Sequence, residues 1–458
     1  MNHIFEHSTD LPVSAAEAYA WHARPGALER LTPPWEPVRV VERMGGLGDG
    51  RVVLEIRVGP LRQRWVAQHR DAIPGEQFVD EQVEGPFARW VHTHRFTALG
   101  VDRCRYTDHI EYALPLGVTG ELGAGFVRHK LERLFRYRHA TVEADLAQHH
   151  QTRGAASRVI AITGATGMVG RSLVPLLTSG GHTVRRVVRS QPAAGDILWD
   201  PDRGSLDAGQ LEGVDAVIHL AGEPIAGGRW TAERKRRILE SRTRSTILLA
   251  DTLARLTQRP RVLVSASAVG IYGDRGDEVV EETTSLRASG ERMFVEQVGQ
   301  AWEAATEPAE RAGIRVARMR IGIVLSPEGG ALIPMMRPVQ FGVGGRLGSG
   351  QQFMSWIGID DVIGALYHAV QSEKLSGPVN TTAPHPARNA DFIATLAHVL
   401  ERPALLPVPA AAIRLLVGQM ADELVLTGNR VIPTRLVESG YRFRHPELEG
   451  ALRFVLGR

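Results

Sequence analysis

Cysteine is almost missing from this chain of 458 residues: Cys104 stands alone, which rules out an intrachain disulfide and a cysteine-rich zinc site. Lysine is nearly as scarce. Lys130, Lys235 and Lys374 are the only three, so arginine carries almost all the positive charge. The formal net charge is only +3, which argues against a nucleic-acid partner. No apolar run reaches the length of a membrane span, and Met1-Asn2-His3-Ile4-Phe5-Glu6 carries no apolar leader. A cytoplasmic protein with no membrane partner is the expectation. The length suits two or three domains, and the 43% apolar fraction suits a globular core.

Glycine, by contrast, is placed with purpose at 164, 167 and 170. The run Arg158-Val-Ile-Ala-Ile-Thr-Gly164-Ala-Thr-Gly167-Met-Val-Gly170 reads as an apolar strand, a glycine turn and a helix start. That order suits a dinucleotide phosphate site. Gly164 permits a tight turn, Gly167 lets backbone approach a pyrophosphate, and Gly170 lets the helix pack on the strand. Thr166, Met168 and Val169 complete the cradle at the positive end of the helix dipole. The spacing is G-x-x-G-x-x-G rather than G-x-G-x-x-G.

The chain divides near residue 150, where His149–Ser157 is small and polar and reads as a linker. Residues 1–150 alternate with period two. Val52, Leu54, Ile56 and Val58 share one face, as do Trp90, His92, His94 and Phe96, and Tyr106, Asp108, Ile110 and Tyr112. A short helix is expected over Ala15–His22. A long one is expected over Leu122–Leu146, with Val127, Leu131, Leu134, Phe135, Val142 and Leu146 as its apolar stripe. His92, His94 and, on a neighbouring strand, His109 are possible metal ligands, but half-exposed or pocket-lining histidines are commoner, and no metal is assigned. From 157 onward, strands are expected at 158–163, 183–189, 214–220, 261–267 and 314–320. Helices are expected at 168–179, 231–257 and 290–312. This alternation predicts a doubly wound parallel sheet.

The strand ends carry the expected cofactor contacts. Where a site for NAD places an acid, this chain has Arg189 and Ser190. The arginine suits a 2′-phosphate, so NADP is the expected cofactor. Leu220, Ala221, Gly222 and Glu223 end the next strand, small enough at Ala221 and Gly222 to pass the adenosine half. Ser265 and Arg320 complete the cofactor set.

Three stretches carry a specific resemblance: His219-Leu-Ala-Gly-Glu-Pro224, Ser265-Ala-Ser-Ala268 before Tyr272, and Arg430-Val-Ile-Pro-Thr-Arg-Leu436. Residues 157–458 resemble the extended short-chain dehydrogenase/reductase superfamily, in the branch labelled epimerase family, or nucleoside-diphosphate-sugar epimerase-like. Residues 1–150 resemble, in element order, the START-like or polyketide-cyclase-like helix-grip superfamily. Members of that superfamily enclose apolar ligands, so either such a ligand or packed side chains fill the grip. The resemblance implies an α+β helix-grip domain followed by a Rossmann-type domain with a C-terminal substrate lobe at about 380–458.

The superfamily's Tyr-x-x-x-Lys proton relay is absent, since none of the seven tyrosines has lysine four residues later. Ser267 is expected to orient a substrate oxygen. Tyr272 or Glu296 is expected to move the proton, with Arg320 supplying positive charge. Three readings remain: an NADP-dependent reductase or epimerase acting on a carbonyl or sugar-nucleotide-like small molecule, a non-catalytic NADP(H) sensor or scaffold, and a ligand carrier acting through residues 1–150. In the lobe, helices are expected at Asn389–Glu401 and Ala410–Met420, with Leu415-Leu416-Val417 in the core. Gly342–Gly350 reads as a loop at the site mouth, and Arg337 and Arg346 either meet an anionic substrate or, the commoner case, are solvated.

Overall fold

Two sequence periodicities, two and 3.6, become two compact units in the computed structural model: Met1–Ala156 with Pro175–Gly181 and Gly457, and the remainder. The structure describes residues 1–115, 117–151, 157–287 and 293–458, with the backbone alone at Val58, Val118 and Thr119. The central linker residues Thr152–Ala156, and Gly290–Arg292 at the head of one expected helix, lie outside the described residues. Among the described residues no helix is long and apolar enough to cross a membrane.

In the first unit the strands are β1 (Asn2–Leu11), β2 (Arg39–Met44), β3 (Arg51–Val58), β4 (Leu61–Ile73), β5 (Gln77–Glu84), β6 (Arg89–Gly100) and β7 (Arg103–Ala113). They form one antiparallel sheet in the order β1-β7-β6-β5-β4-β3-β2. Ser14 starts α1 (Ala15–Ala23) by accepting the Glu17 N–H at 3.2 Å, and α2 (Ala27–Leu31) follows. The long helix α3 (Ala124–His150) buries Leu131, Phe135, Val142 and Leu146, four of the six expected stripe residues. Each such side chain contributes about 2 kcal/mol when taken from water. Alternation on β6 and β7 turns Trp90, His92, His94 and Phe96, and Cys104, Tyr106, Asp108, Ile110 and Tyr112, inward. The middle of this core is therefore ionisable rather than apolar.

The second unit is built on β8 (Val159–Thr163), β9 (Thr183–Val188), β10 (Ile197–Asp200), β11 (Ser205–Leu206), β12 (Ala216–His219), β13 (Val262–Ala268), β15 (Arg315–Ile321) and β19 (Gly377–Thr381), with the two-residue β14 (Val279–Val280) outside the main sheet. The sheet order is β11-β10-β9-β8-β12-β13-β15-β19, parallel except for the β10–β11 hairpin. Short paired strands fill out the set: β16 (Ile323–Leu325) with β18 (Trp356–Gly358), β17 (Phe353–Met354) with β20 (Ala387–Arg388), and β14 with β21 (Arg430–Val431). From β8 the chain steps outward to β9 and β10, then returns on the other side of β8 to β12. This reversal makes the carboxyl ends of β8 and β12 the switch point at which such sheets bind ligands.

The helices are α4 (Met168–Ser179), α5 (Ala232–Arg255), α6 (Phe294–Ala304), α7 (Glu307–Arg311), α8 (Leu332–Gln340), α9 (Ile359–Gln371), α10 (Asn389–Leu400), α11 (Ala410–Val417), α12 (Thr434–Glu438) and α13 (Leu448–Leu456). The helix expected over 290–312 is two helices. Pro308 cannot continue the hydrogen-bond ladder, and the Thr306 hydroxyl donates to Glu303 O. The sequence pattern missed β10, β11 and β19, which are short or led by glycine and proline. On α11, Leu415 and Leu416 are exposed rather than core. Only Ile413 of that helix is buried, so its apolar run lies along the surface.

Candidate functional site

The three glycines at the end of β8 have three different constraints. Gly164 holds φ at +69°, and a Cβ there would lie 2.8 Å from the Leu220 carbonyl carbon. At Gly170 a Cβ would lie 2.3 Å from Gly164 O and 2.6 Å from Ala165 Cα, so helix and turn touch through backbone. Gly167 is different. A Cβ there would meet only Gly164 O, at 3.3 Å, and both it and Thr166 are exposed. The first turn of α4, with Met168 and Val169 half-buried, thus presents open backbone at the positive helix end. The Gly167 N–H itself closes the turn, donating to Gly164 O at 3.0 Å.

Sequence reading missed the clasp that joins β8 to β12. Thr163 Oγ1 accepts the N–H groups of Leu220 at 3.1 Å and Ala221 at 3.2 Å, and lies 2.7 Å from His219 Nδ1. With both lone pairs used, the hydroxyl donates to Nδ1, and His219 Nε2–H then donates to Thr246 Oγ1 at 2.9 Å. Burial lowers the His219 pKa to about 4, which keeps this relay neutral. The signal was present as Thr163 and His219, each closing an apolar strand.

At the end of β9, Arg186 is bidentate to Asp196, whereas Arg189 and Ser190 are exposed and, among the described residues, have no polar partner. Beyond β12, Gly222 is exposed, with the Arg242 side chain 3.4 Å from where its Cβ would be, and Glu223 N–H donates to Ser241 Oγ. Arg242 lies over the Trp302 ring at 4.9 Å, and burial lowers its pKa to about 10, still charged near neutrality.

The ends of β13 and β15 meet in register, Ser267 opposite Arg320. Ser267 Oγ donates to Glu303 Oε1 at 2.8 Å. Arg320 clamps the same carboxylate through Nε and Nη2, both at 2.8 Å, and its Nη1 donates to Tyr272 OH at 2.8 Å. Tyr272 OH in turn donates to Asn380 Oδ1 at 2.7 Å. The expected cation beside Tyr272 is present, yet burial outweighs it and the phenol pKa is raised. Tyr272 is fully buried with its hydroxyl committed on both sides. Ser265 is also buried, its hydroxyl turned to the neighbouring Ala266 carbonyl at 3.4 Å.

Glu296 stands apart from this network. Its carboxylate accepts the Met293 N–H at 2.7 Å and caps α6, and a Cβ on Gly273 would lie 2.2 Å from its Oε1. Glu296, expected as a candidate proton donor, caps α6 and lies outside the Ser267–Tyr272 network. Glu303 and Asn380, which sequence reading missed, are the groups brought to Ser267 and Tyr272. Neither lies near them in sequence, and only strand register and the packing of α6 join them.

In the first unit the structure gathers a second polar cluster. His109 is not part of it: β7 alternation turns His109 outward, 3.0 Å from Glu6, and turns Asp108 inward. His92 Nε2 and His94 Nδ1 lie 2.9 Å and 2.7 Å from Asp108 Oδ1, and His139 Nε2 lies 2.9 Å from Oδ2. Burial, and then the charge of His94, push His92 down to about 4. Burial alone would also lower His94, but Asp108 and Asp80 raise it to about 9. The imidazoles around Asp108 override its desolvation and hold its carboxyl well below the usual range.

Comparison with known proteins agrees with both halves of this description. Residues 160–380 match the model of the NAD dependent epimerase/dehydratase family, and residues 11–135 match that of polyketide cyclase / dehydrase and lipid transport. A domain of unknown function matches residues 408–455. An epimerase family protein of Mycobacterium bovis is 40% identical over 304 residues, 66% of this chain and 99% of that protein. The chain belongs to the epimerase family. A Corynebacterium glutamicum crystal structure, described as a nucleoside-diphosphate sugar epimerase, is similar over 99% of this chain and 90% of its own, with 32% identity and TM-score 0.81. The human epimerase family protein SDR39U1, crystallised with NADPH, is 34% identical over 65% of this chain and 99% of its own, with TM-score 0.60. This epimerase family chain thus joins a polyketide-cyclase-like sheet and helix to a Rossmann-type unit.

Proposed function

We propose that the second unit binds NADP(H) and acts as a reductase or epimerase on a carbonyl or sugar-nucleotide-like small molecule. The observation that carries this reading is the exposed turn at Thr166 and Gly167 leading into the N-terminus of α4, with the unpaired Arg189 at the end of the neighbouring strand. The 34% identical human relative crystallised with NADPH supports it. In this reading Gly164, Gly167, Met168 and Val169 hold the diphosphate, and Arg189 and Ser190 hold the 2′-phosphate. The strand end Leu220–Glu223 lies along the adenosine half.

When bound, the nicotinamide supplies or accepts a hydride. Ser267 is the hydroxyl that meets the substrate oxygen. During alcohol oxidation the substrate proton passes to Ser267 Oγ as the serine's own proton moves to Glu303 Oε1, 2.8 Å away. Arg320 fixes that carboxylate, and Tyr272 and Asn380 fix Arg320, so Tyr272 is a positioning residue. Ser265 packs the strand beneath.

A second reading, NADP(H) binding without turnover, is favoured by one observation: α6 carries no lysine. NADPH consumption across carbonyl and sugar-nucleotide panels separates the two. Turnover by the wild type that falls at least ~100-fold in Ser267→Ala supports catalysis. Tight NADPH binding with no turnover on any substrate selects the second reading.

A further inference from the structure

The cluster in the first unit takes no part in the reading above, and its geometry is that of a ligand set. The β5–β6 register sets Asp80 directly opposite His92 and Phe78 opposite His94. One ligand atom each from Asp80, His92 and His94 lies within 4.8 Å of the others. The His92 and His94 rings are 3.9 Å apart, centroid to centroid. Both direct a nitrogen to the same oxygen, Asp108 Oδ1: His92 through Nε2 and His94 through Nδ1. This leaves His92 Nδ1 and His94 Nε2 as the remaining nitrogens, the latter 3.1 Å from Asp80 Oδ2. Asp80 is held in turn, with its Oδ1 2.7 Å from His69 Nε2.

Metal-bound imidazoles characteristically give their second nitrogen to a carboxylate, which fixes the ring and raises its basicity. Here the buried Asp108 hydrogen-bonds to His92 and lies 2.7 Å from His94 Nδ1, which also meets the Tyr106 hydroxyl at 3.1 Å. Phe78 stacks on His94 at 4.1 Å and shields it from water. Two buried polar atoms also lack a hydrogen-bond partner: Asp80 Oδ1, whose approach to His69 lacks hydrogen-bond geometry, and His22 Nε2. The His22 ring is buried 6.0 Å from that of His94.

We propose that Asp80, His92 and His94 bind one divalent first-row transition-metal ion, with Asp108 orienting the imidazoles. Two imidazoles and one carboxylate suit Zn2+, Co2+, Ni2+ or Fe2+, whereas Mg2+ and Ca2+ prefer all-oxygen sets. Binding replaces the proton shared by His94 Nε2 and Asp80. Three protein ligands leave a fourth position for water or a small anion.

The test uses the full chain, stripped with a chelator and titrated with Zn2+ and, separately, Co2+. The expected result is one equivalent bound, with visible d–d absorption for Co2+ at a nitrogen–oxygen site. Asp80→Asn, which keeps the shape of the side chain, and His92→Ala each weaken binding at least ~10-fold, while the outward-facing His109→Ala does not. Circular dichroism checks that each variant folds. Wild-type protein that retains less than about a tenth of an equivalent of either metal overturns the proposal, and so does Asp80→Asn binding as tightly as wild type. Either outcome assigns the cluster to a proton-bridged network.

Discussion

The two units bury charge in opposite ways. In the first, two carboxylates sit among imidazoles, groups that can give up a proton and take a cation in its place. In the second, Glu303 is clamped by the guanidinium of Arg320, which stays protonated at every working pH. In the first arrangement both partners can change charge, whereas in the second a permanent cation fixes Glu303 beside the Ser267 hydroxyl. One chain thus uses ionisable burial for two ends, a changeable charge state and a rigid geometry.

The harshest way to break the comparison is to remove one side of it. Gly170→Leu would set a side chain against Gly164 O and Ala165 Cα, 2.3 and 2.6 Å from the Cβ position. It is expected to cost more than about 4 kcal/mol and to abolish the second unit's fold, read by urea unfolding. A native-like midpoint would show that the turn is looser than described.

Next in size, Arg320→Met leaves the half-buried Glu303 without its cation and is expected to cost about 3 kcal/mol in urea unfolding. In the first unit Asp108→Asn is expected to cost less, about 1–3 kcal/mol, because the imidazoles it leaves can shed protons. Equal costs would erase the distinction between fixed and adjustable burial.

A third test is pH, on metal-stripped protein. His219 has its folded pKa lowered from 6.5 to about 4, so between these values the unfolded chain binds a proton that the native chain refuses. The second unit's stability therefore falls as pH drops from 6.5 towards 4, by on the order of 1–3 kcal/mol, and His219→Gln flattens the slope. In the first unit His22, at about 3, and His92, at about 4, give the same sign. His94, raised to about 9, gives the opposite one: its contribution is full below 6.5 and is lost as pH rises through 9. Acid-side loss alone from the first unit would contradict the charge assignment of His94.

How much of this was legible in the sequence follows from the range of each interaction. The cradle was readable because Gly164, Gly167, Gly170 and the strand before them act within a dozen residues, and α4 begins at Met168 as the pattern required. The inward faces of β6 and β7 were readable because side chains alternate strictly along a strand. Asp80 and His139 joining His92, His94 and Asp108 was not legible, since sheet register and helix packing bring them together from as far apart as residues 80 and 139. Glu303 escaped notice for the same reason, and His109 was misplaced by a single step of alternation. The exposed Leu415 and Leu416 show the limit of composition: an apolar run on a helix does not say which way the helix faces.

NADP(H) recognition by the second unit depends on Arg189 and the exposed turn at Gly167, and calorimetric titration of NADPH and NADH into wild type and Arg189→Ala addresses both. Wild type is expected to prefer NADPH by about tenfold or more, roughly 1.4 kcal/mol or above, and Arg189→Ala to lose that preference while still binding NADH. Equal affinities for the two cofactors in the wild type, or binding of neither, would contradict it.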